Sequence, residues 1–237
     1  MKQTMAECQS AANMVPFGET AIMIEFGQGI HPDLHRKVKA VSHYLDQYPF
    51  PGMVEYVAAF ASVTVFYDPI RLNSETVAAH LQDIVSKLEQ GEVGEPRVVE
   101  IPVCYGGEFG PDLEFVAQHN GLTIDEVIEI HTGSQYLVYM LGFAPGFPYL
   151  GGMSERIAAP RRQSPRPAIP AGTVGIAGMQ TGVYPITTPG GWQLIGCTPL
   201  ELFCPNDNPP TLLRSGDSIQ FRPICPKEYR ELKGAGQ

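Results

Sequence analysis

Charge is scarce in this chain: Asp, Glu, Lys and Arg make up 17% of its 237 residues, and there is a single tryptophan. Apolar residues, at 43%, are still frequent enough to build a packed interior, which excludes disorder, a collagen-like repeat and a coiled coil. No apolar run reaches the ~18 residues needed to cross a bilayer. The opening stretch MKQTMAECQSAANM lacks the apolar centre of a secretory signal. A cytoplasmic protein with no membrane contact is expected. Bases are outnumbered by acids, 16 against 25, and a net charge of −9 argues against a general affinity for nucleic acid. Cys8, Cys104, Cys197, Cys204 and Cys225 are odd in number and never form C-x-x-C, so neither a disulfide framework nor a zinc ribbon is indicated. No H-E-x-x-H occurs. His31 and His35 stand four apart, but with Pro32 between them they read as a solvated helix end, and no metal site is expected. The phosphate-binding G-x-x-x-x-G-K-[ST], the dinucleotide G-x-G-x-x-G and the nucleophile elbow G-x-S-x-G are also missing.

What the chain does have is turn-formers, 25 Gly and 22 Pro, unevenly placed. Residues 1–95 alternate strand and helix patterns. Thr20–Phe26 reads as a strand, and Leu34, Val38, Val41 and Leu45 mark a helical face. Val54–Tyr67 is long enough for two strands with a bend near 59–62. A second helix, capped by Asn73 or Ser74, carries Val77, Leu81, Ile84, Val85 and Leu88, and Arg97–Tyr105 is a further strand. That order predicts a ferredoxin-like split βαβ layer, with residues 89–96 as linker. The rest, 96–237, is a second domain with a small helical insert near 111–131, in which Thr123 and Glu126 form a capping box. The insert has helix-turn-helix spacing, but its second helix carries Asp125, Glu126 and Glu129 with no base, which excludes a DNA reader.

From Thr132 to Leu200 there is one acid, Glu155, against four arginines, and Gly142–Gly191 holds ten Gly and eight Pro. Short strands joined by tight turns suit that composition. They are read at Val138–Leu141, Thr173–Ala177, Val183–Thr187, Trp192–Gly196, Glu201–Cys204 and Ser218–Arg222, closing into a β-barrel; the fold class is α+β. A neutral pocket with arginine forks suits a small anion, the alternative being arginines on a rim. Arg166, stiffened by Pro165 and Pro167, is the leading candidate, because the segment offers almost no acid to occupy its fork; Arg161 is second and Arg162 reads as solvent-facing. Gln180 and Thr181, in a Gly-bounded turn, with Tyr184, Gly190, Gly191 and Trp192, are substrate-binding candidates. Plain turn chemistry for the first two and a core role for Trp192 stay open. His131 is either an acid/base or a complement to a helix C-terminus. Phe143, Pro145, Phe147 and Tyr149, on a Pro-stiffened loop, are candidates to face a partner.

GFAPGFPYLGG (142–152), the pairs Pro160-Arg161 and Pro165-Arg166, and PAIPAGTVGIAGMQTGVYPITTPGGWQLIGCTP (167–199) resemble the family called KipI, allophanate hydrolase subunit 1-like, or the B subunit of 5-oxoprolinase. The resemblance extends over essentially the whole chain. It implies a cyclophilin-like barrel after the N-terminal layer, and partners that resemble the C and A subunits of 5-oxoprolinase. With them the chain would form an ATP-dependent enzyme opening 5-oxoproline, a small anion, to glutamate, ATP being bound with the partner subunits. Two other branches share these motifs: an inhibitor of a sensor histidine kinase and a component of a urea or allophanate amidohydrolase. His131 matches a histidine of the family pattern. The family commonly has Arg where this chain has Cys197.

Overall fold

Spaced apolar residues on two helices have to bury their faces, and in the first of two compact units, residues 1–95, they do so on one sheet. The computed structural model describes residues 12–29, 31–88 and 97–235. Strands β1 (Asn13–Pro16), β2 (Ala21–Glu25), β3 (Met53–Ala58) and β4 (Ser62–Tyr67) form an antiparallel sheet in the order β1-β2-β4-β3. Helices α1 (Pro32–Gln47) and α2 (Ser74–Leu88) set Leu34, Val38, Val41, Val77, Leu81 and Ile84 against Ile22, Ile24, Val63 and Val65. Asn73 is the residue that caps α2, its Oδ1 accepting the Thr76 N–H at 2.8 Å. His35 is not on a solvated helix end. It is buried, and burial, followed by the Lys39 charge, lowers its pKa to about 4.

The N-terminal layer differs from the expected one at its last strand. The segment after α2, β5 (Val98–Tyr105), leaves that sheet, and β1 occupies the free side of β2 instead. The reason is burial: Ile101 and Val103 of β5 pack into the core of the second unit, residues 96–237. The expected linker at 89–96 lies outside the described residues.

In the second unit β5 is followed by α3 (Leu113–Asn120), α4 (Ile124–Thr132), β6 (Gln135–Leu141), β7 (Pro148–Gly151), β8 (Arg166–Ile169), β9 (Thr173–Ala177), β10 (Gln180–Val183), β11 (Thr188–Gly190), β12 (Gln193–Cys197), β13 (Ser218–Ile224) and α5 (Pro226–Ala235). Seven of the strands make one sheet, β10-β9-β12-β5-β13-β6-β7, whose end strands β10 and β7 come together so that it curls into a nearly closed barrel. Strands β8 and β11 form a separate ribbon. Thr123 and Glu126 make the capping box that opens α4, and Gly121, at φ 65°, ends α3 in the left-handed conformation.

Three local expectations change. The expected strand Val183–Thr187 does not form: β10 ends at Val183 and the next strand, β11, starts at Thr188. Gln180 and Thr181 belong to strand β10 rather than to a turn, the turn being Gly178 (φ 57°) and Met179 between β9 and β10. Glu201–Cys204 forms no strand and supplies only the single bridge Phe203–Thr211.

Strand alternation then sorts the barrel's side chains into two layers. Val174, Ile176, Val183 and Ile195 face the main core. Ala177, Tyr184 and Leu194 face the other way, into a smaller layer with Phe147, Ile169 and Trp192. The glycines of β9 and β10 make room for that second layer. A Cβ on Gly182 would stand 3.0 Å from Phe147 Cζ, and one on Gly175 would stand 3.2 Å from Trp192 Cβ.

Candidate functional site

The candidate residues divide between the two layers. Arg166 (β8), Gly190 (β11), Gly191, Trp192 and Tyr184 gather with Arg161 and Arg162 beside the smaller aromatic layer. His131 and Thr181 lie in the main core.

The arginine group is organised by a carboxylate that sequence reasoning overlooked. Asp112, 8% exposed, stands at the start of α3 without capping it. Its Oδ1 accepts from Arg166 Nη2 at 2.9 Å and Arg162 Nη1 at 3.2 Å. Its Oδ2 accepts from Arg166 Nη1 at 2.9 Å and the Leu194 N–H at 2.7 Å. The Asp112 N–H in turn donates to the Leu194 carbonyl at 2.8 Å. The fork of Arg166 is therefore occupied, contrary to the expectation that it stands free. The acid-poor window of the sequence begins beyond position 112, and the Arg166 partner lies 54 residues upstream of it. No local signal links them.

Tyr184 is buried beside this group. Burial pushes its pKa up to about 12, a rise that the Arg161 and Arg166 charges hold back. Gly190 is required by contact: a Cβ there would lie 2.5 Å from Tyr184 Oη and 2.7 Å from Ile169 Cδ1. The Gly191 carbonyl accepts the Arg162 N–H at 2.7 Å. Trp192 is a buried wall of the layer, edge-on to Phe147 with centroids 5.7 Å apart. Arg161 is exposed and makes no ion pair among the described residues. Two guanidiniums share the Asp112 carboxylate and the Arg161 charge acts on neighbouring Tyr184, an excess of positive charge that suits an anion.

His131 does not reach such a ligand. It is fully buried, stacked on Phe221 with centroids 4.5 Å apart, and the Tyr136 hydroxyl donates to its carbonyl at 2.7 Å. Thr181 Oγ1 donates to the Gly175 carbonyl at 3.1 Å, so it must accept from His131 Nε2, 2.9 Å away. Nδ1 is then the acceptor for the Tyr105 hydroxyl at 2.8 Å. This chain satisfies a neutral imidazole completely, and burial lowers its pKa to about 3. Of the two readings for His131 the structure gives the acid/base one no exposed ring nitrogen, and Thr181, a substrate-binding candidate, is committed with it to the core. Gln180, half-buried at the start of β10, joins neither group.

The loop from β6 to β7 is equally divided. Phe147 is 3% exposed and makes edge contacts with Phe143, Tyr149, Tyr184 and Trp192. It is the hub of the aromatic layer and not a partner-facing anchor, and Tyr149 is half-buried with it. Phe143, 67% exposed, and Pro145 form the outward tip. The Ala144 N–H donates to the Gly142 carbonyl at 2.7 Å, closing a three-residue turn that places Phe143 at φ 65°, a left-handed conformation uncommon for any residue but glycine. With Leu141, Gly146 and Thr211 the tip lines an open hollow of about 360 Å³.

Cys197 stands apart from the arginines. It packs with Cys104 against Tyr229 of α5, whose hydroxyl lies 3.4 Å from its Sγ. Among the described residues no cluster of His, Cys, Asp and Glu could hold a metal ion.

Residues 12–213 match the family described as carboxyltransferase domain, subdomain C and D. The chain belongs to this family. Within its wider kinship, the B subunit of 5-oxoprolinase from Bacillus subtilis (strain 168) is 56% identical over 226 residues, covering 91% of this chain and 94% of that protein. The protein of the same name from Escherichia coli O157:H7 is 45% identical over 212 residues, covering 87% and 93%. The crystal structure of TTHA0988 is similar with a TM-score of 0.76 at 36% identity over 86% of this chain. This carboxyltransferase-family chain spans only 39% of that longer one.

Proposed function

We infer that this chain is the B subunit of an ATP-dependent 5-oxoprolinase, opening 5-oxoproline to L-glutamate together with A-like and C-like partner proteins. One observation carries the reading: the chain is 56% identical to a protein of that name along 94% of that protein's length. The arginine excess beside Asp112 supports it, since 5-oxoproline presents a carboxylate to any site that binds it.

The chemistry explains why this chain needs no nucleophile of its own. A lactam is a poor electrophile. Transfer of the terminal phosphoryl group of ATP to its oxygen, releasing ADP, would let water add to the ring carbon and the ring C–N bond break. A second water would then release phosphate from the acyl phosphate so formed. What remains for this chain is to hold the carboxylate and keep the ring in place. The exposed tip of Phe143 and Pro145 is the face we assign to the C-like partner. The curled sheet is read as the cyclophilin-like barrel and the N-terminal sheet as a variant of the ferredoxin-like layer. No described helix is long and apolar enough to cross a membrane, and a cytoplasmic location, where ATP is plentiful, fits.

The test is reconstitution, following glutamate and ADP release. The purified chain alone is expected to be inactive, and adding the A-like and C-like proteins should produce ATP-dependent turnover. Turnover by the chain alone, or none by the complete mixture, overturns the reading.

A further inference from the structure

One buried carboxylate serves two guanidiniums here, and it serves them unequally. Arg166 commits both terminal nitrogens to Asp112, at 2.9 Å each, and is 23% exposed. Nothing of its planar fork remains for a second two-pronged acceptor. Arg162 commits one nitrogen to one oxygen, at 3.2 Å, and is 37% exposed, so its other terminal nitrogen and Nε are available. Its backbone is anchored as well, through the 2.7 Å bond to the Gly191 carbonyl. Arg161 adds a cation that no described carboxylate pairs. With four donors Asp112 has its full complement, so it can neutralise no further charge. Three guanidiniums against one carboxylate leave an excess of positive charge, and Arg161 and Arg162 are its more exposed members.

We propose that the substrate carboxylate is met by Arg162, assisted by Arg161, and that Asp112 is a positioning residue that aims Arg162 while Arg166 braces Asp112. This rests on the 5-oxoprolinase reading. A guanidinium already held at one nitrogen loses less freedom when its other edge takes an anion. Without the Asp112 charge, Arg162 and Arg166 would repel one another at close range and Arg162 would swing away.

The experiment measures KM and kcat for 5-oxoproline in the complex reconstituted with the A-like and C-like proteins, with assembly checked by gel filtration and thermal melting. Arg162→Gln is expected to raise KM at least ~10-fold with kcat nearly unchanged, the pattern of lost ground-state binding. Arg162→Lys should recover part of that loss. Asp112→Asn should raise KM similarly. Added to Arg162→Gln, it should raise KM no further, because a residue acting only through Arg162 has nothing left to aim. Arg166→Lys, if assembled, should raise KM clearly less than Arg162→Gln does, since its role is bracing rather than contact.

An assembled Arg162→Gln complex with wild-type KM overturns the assignment, as does an assembled Arg166→Lys complex with a KM raised as far as that of Arg162→Gln. Multiplying effects in the double variant would show that Asp112 does not act through Arg162. If Asp112→Asn fails to assemble, the arginine variants decide. Calorimetric titration of the wild-type complex with 5-oxoproline separates the two levels. Neither binding nor turnover refutes the substrate reading, whereas normal turnover with an indifferent Arg162→Gln refutes this assignment alone.

Discussion

The buried imidazole of His131 makes a prediction about acid stability. Its folded pKa, lowered to about 3, lies well below the unfolded value of about 6.5. As pH falls, the unfolded chain therefore takes up a proton first, while the folded form stays neutral. The contribution of neutral His131 is whole above about pH 6.5 and is lost progressively on the way down to about pH 3. Each pH unit in that window removes roughly 1.4 kcal/mol, so going from neutral to about pH 4.5 should remove roughly 3 kcal/mol. Around the ring stand the phenols of Tyr105 and Tyr136 and the face of Phe221, none of them charged, so nothing among them relieves the desolvation. In His131→Gln, the amide N–H can still donate to Thr181, but the stacking on Phe221 is lost and the acid response should disappear. The variant should be less stable at neutral pH by about 1–3 kcal/mol, yet lose roughly 3 kcal/mol less than wild type on acidification. Urea unfolding of both proteins at about pH 7 and about pH 4.5, followed by Trp192 fluorescence, measures the difference. The other depressed histidine, His35, is present in both proteins and cancels. Equal losses in the two proteins would refute a neutral, desolvated His131.

Phe147→Ala should lower the stability of the barrel by about 3–5 kcal/mol, the range for emptying a buried aromatic site, as read from the urea midpoint. A change under ~1 kcal/mol would mean the aromatic layer is not a packed core. Phe143→Gly replaces an exposed left-handed residue by one that tolerates that backbone, so stability should stay within ~1 kcal/mol. Affinity for the C-like partner should nevertheless fall by about 1–3 kcal/mol in calorimetry, and unchanged affinity would remove the loop tip from the interface.

Much of the local structure was legible because it depends on neighbours in sequence. The helical spacing of Val38, Val41 and Leu45 marks the buried face of α1, and Thr123 and Glu126 three residues apart make a cap wherever the chain lies. The Gly- and Pro-rich motifs of 142–199 were long enough to point to the family. Within the loop GFAPGFPYL, however, Phe143 and Phe147 are the same residue type on the same rigid backbone. Only the turn around Gly142–Ala144 sends one outward and the other under Tyr184 and Trp192.

The sequence by itself determined the α+β class, most of the strands and helices, and a cationic, acid-poor segment, because composition and periodicity are properties of short stretches. Only the tertiary structure decided that β5 leaves the first sheet for the barrel, that His131 is a neutral core residue tied to Thr181, and that Arg166 is held by Asp112. Each of these joins groups about 50 or more residues apart or chooses between two sheets. Such choices are settled by which pairing buries the most apolar surface and leaves no polar group unpaired, a balance struck over the whole fold.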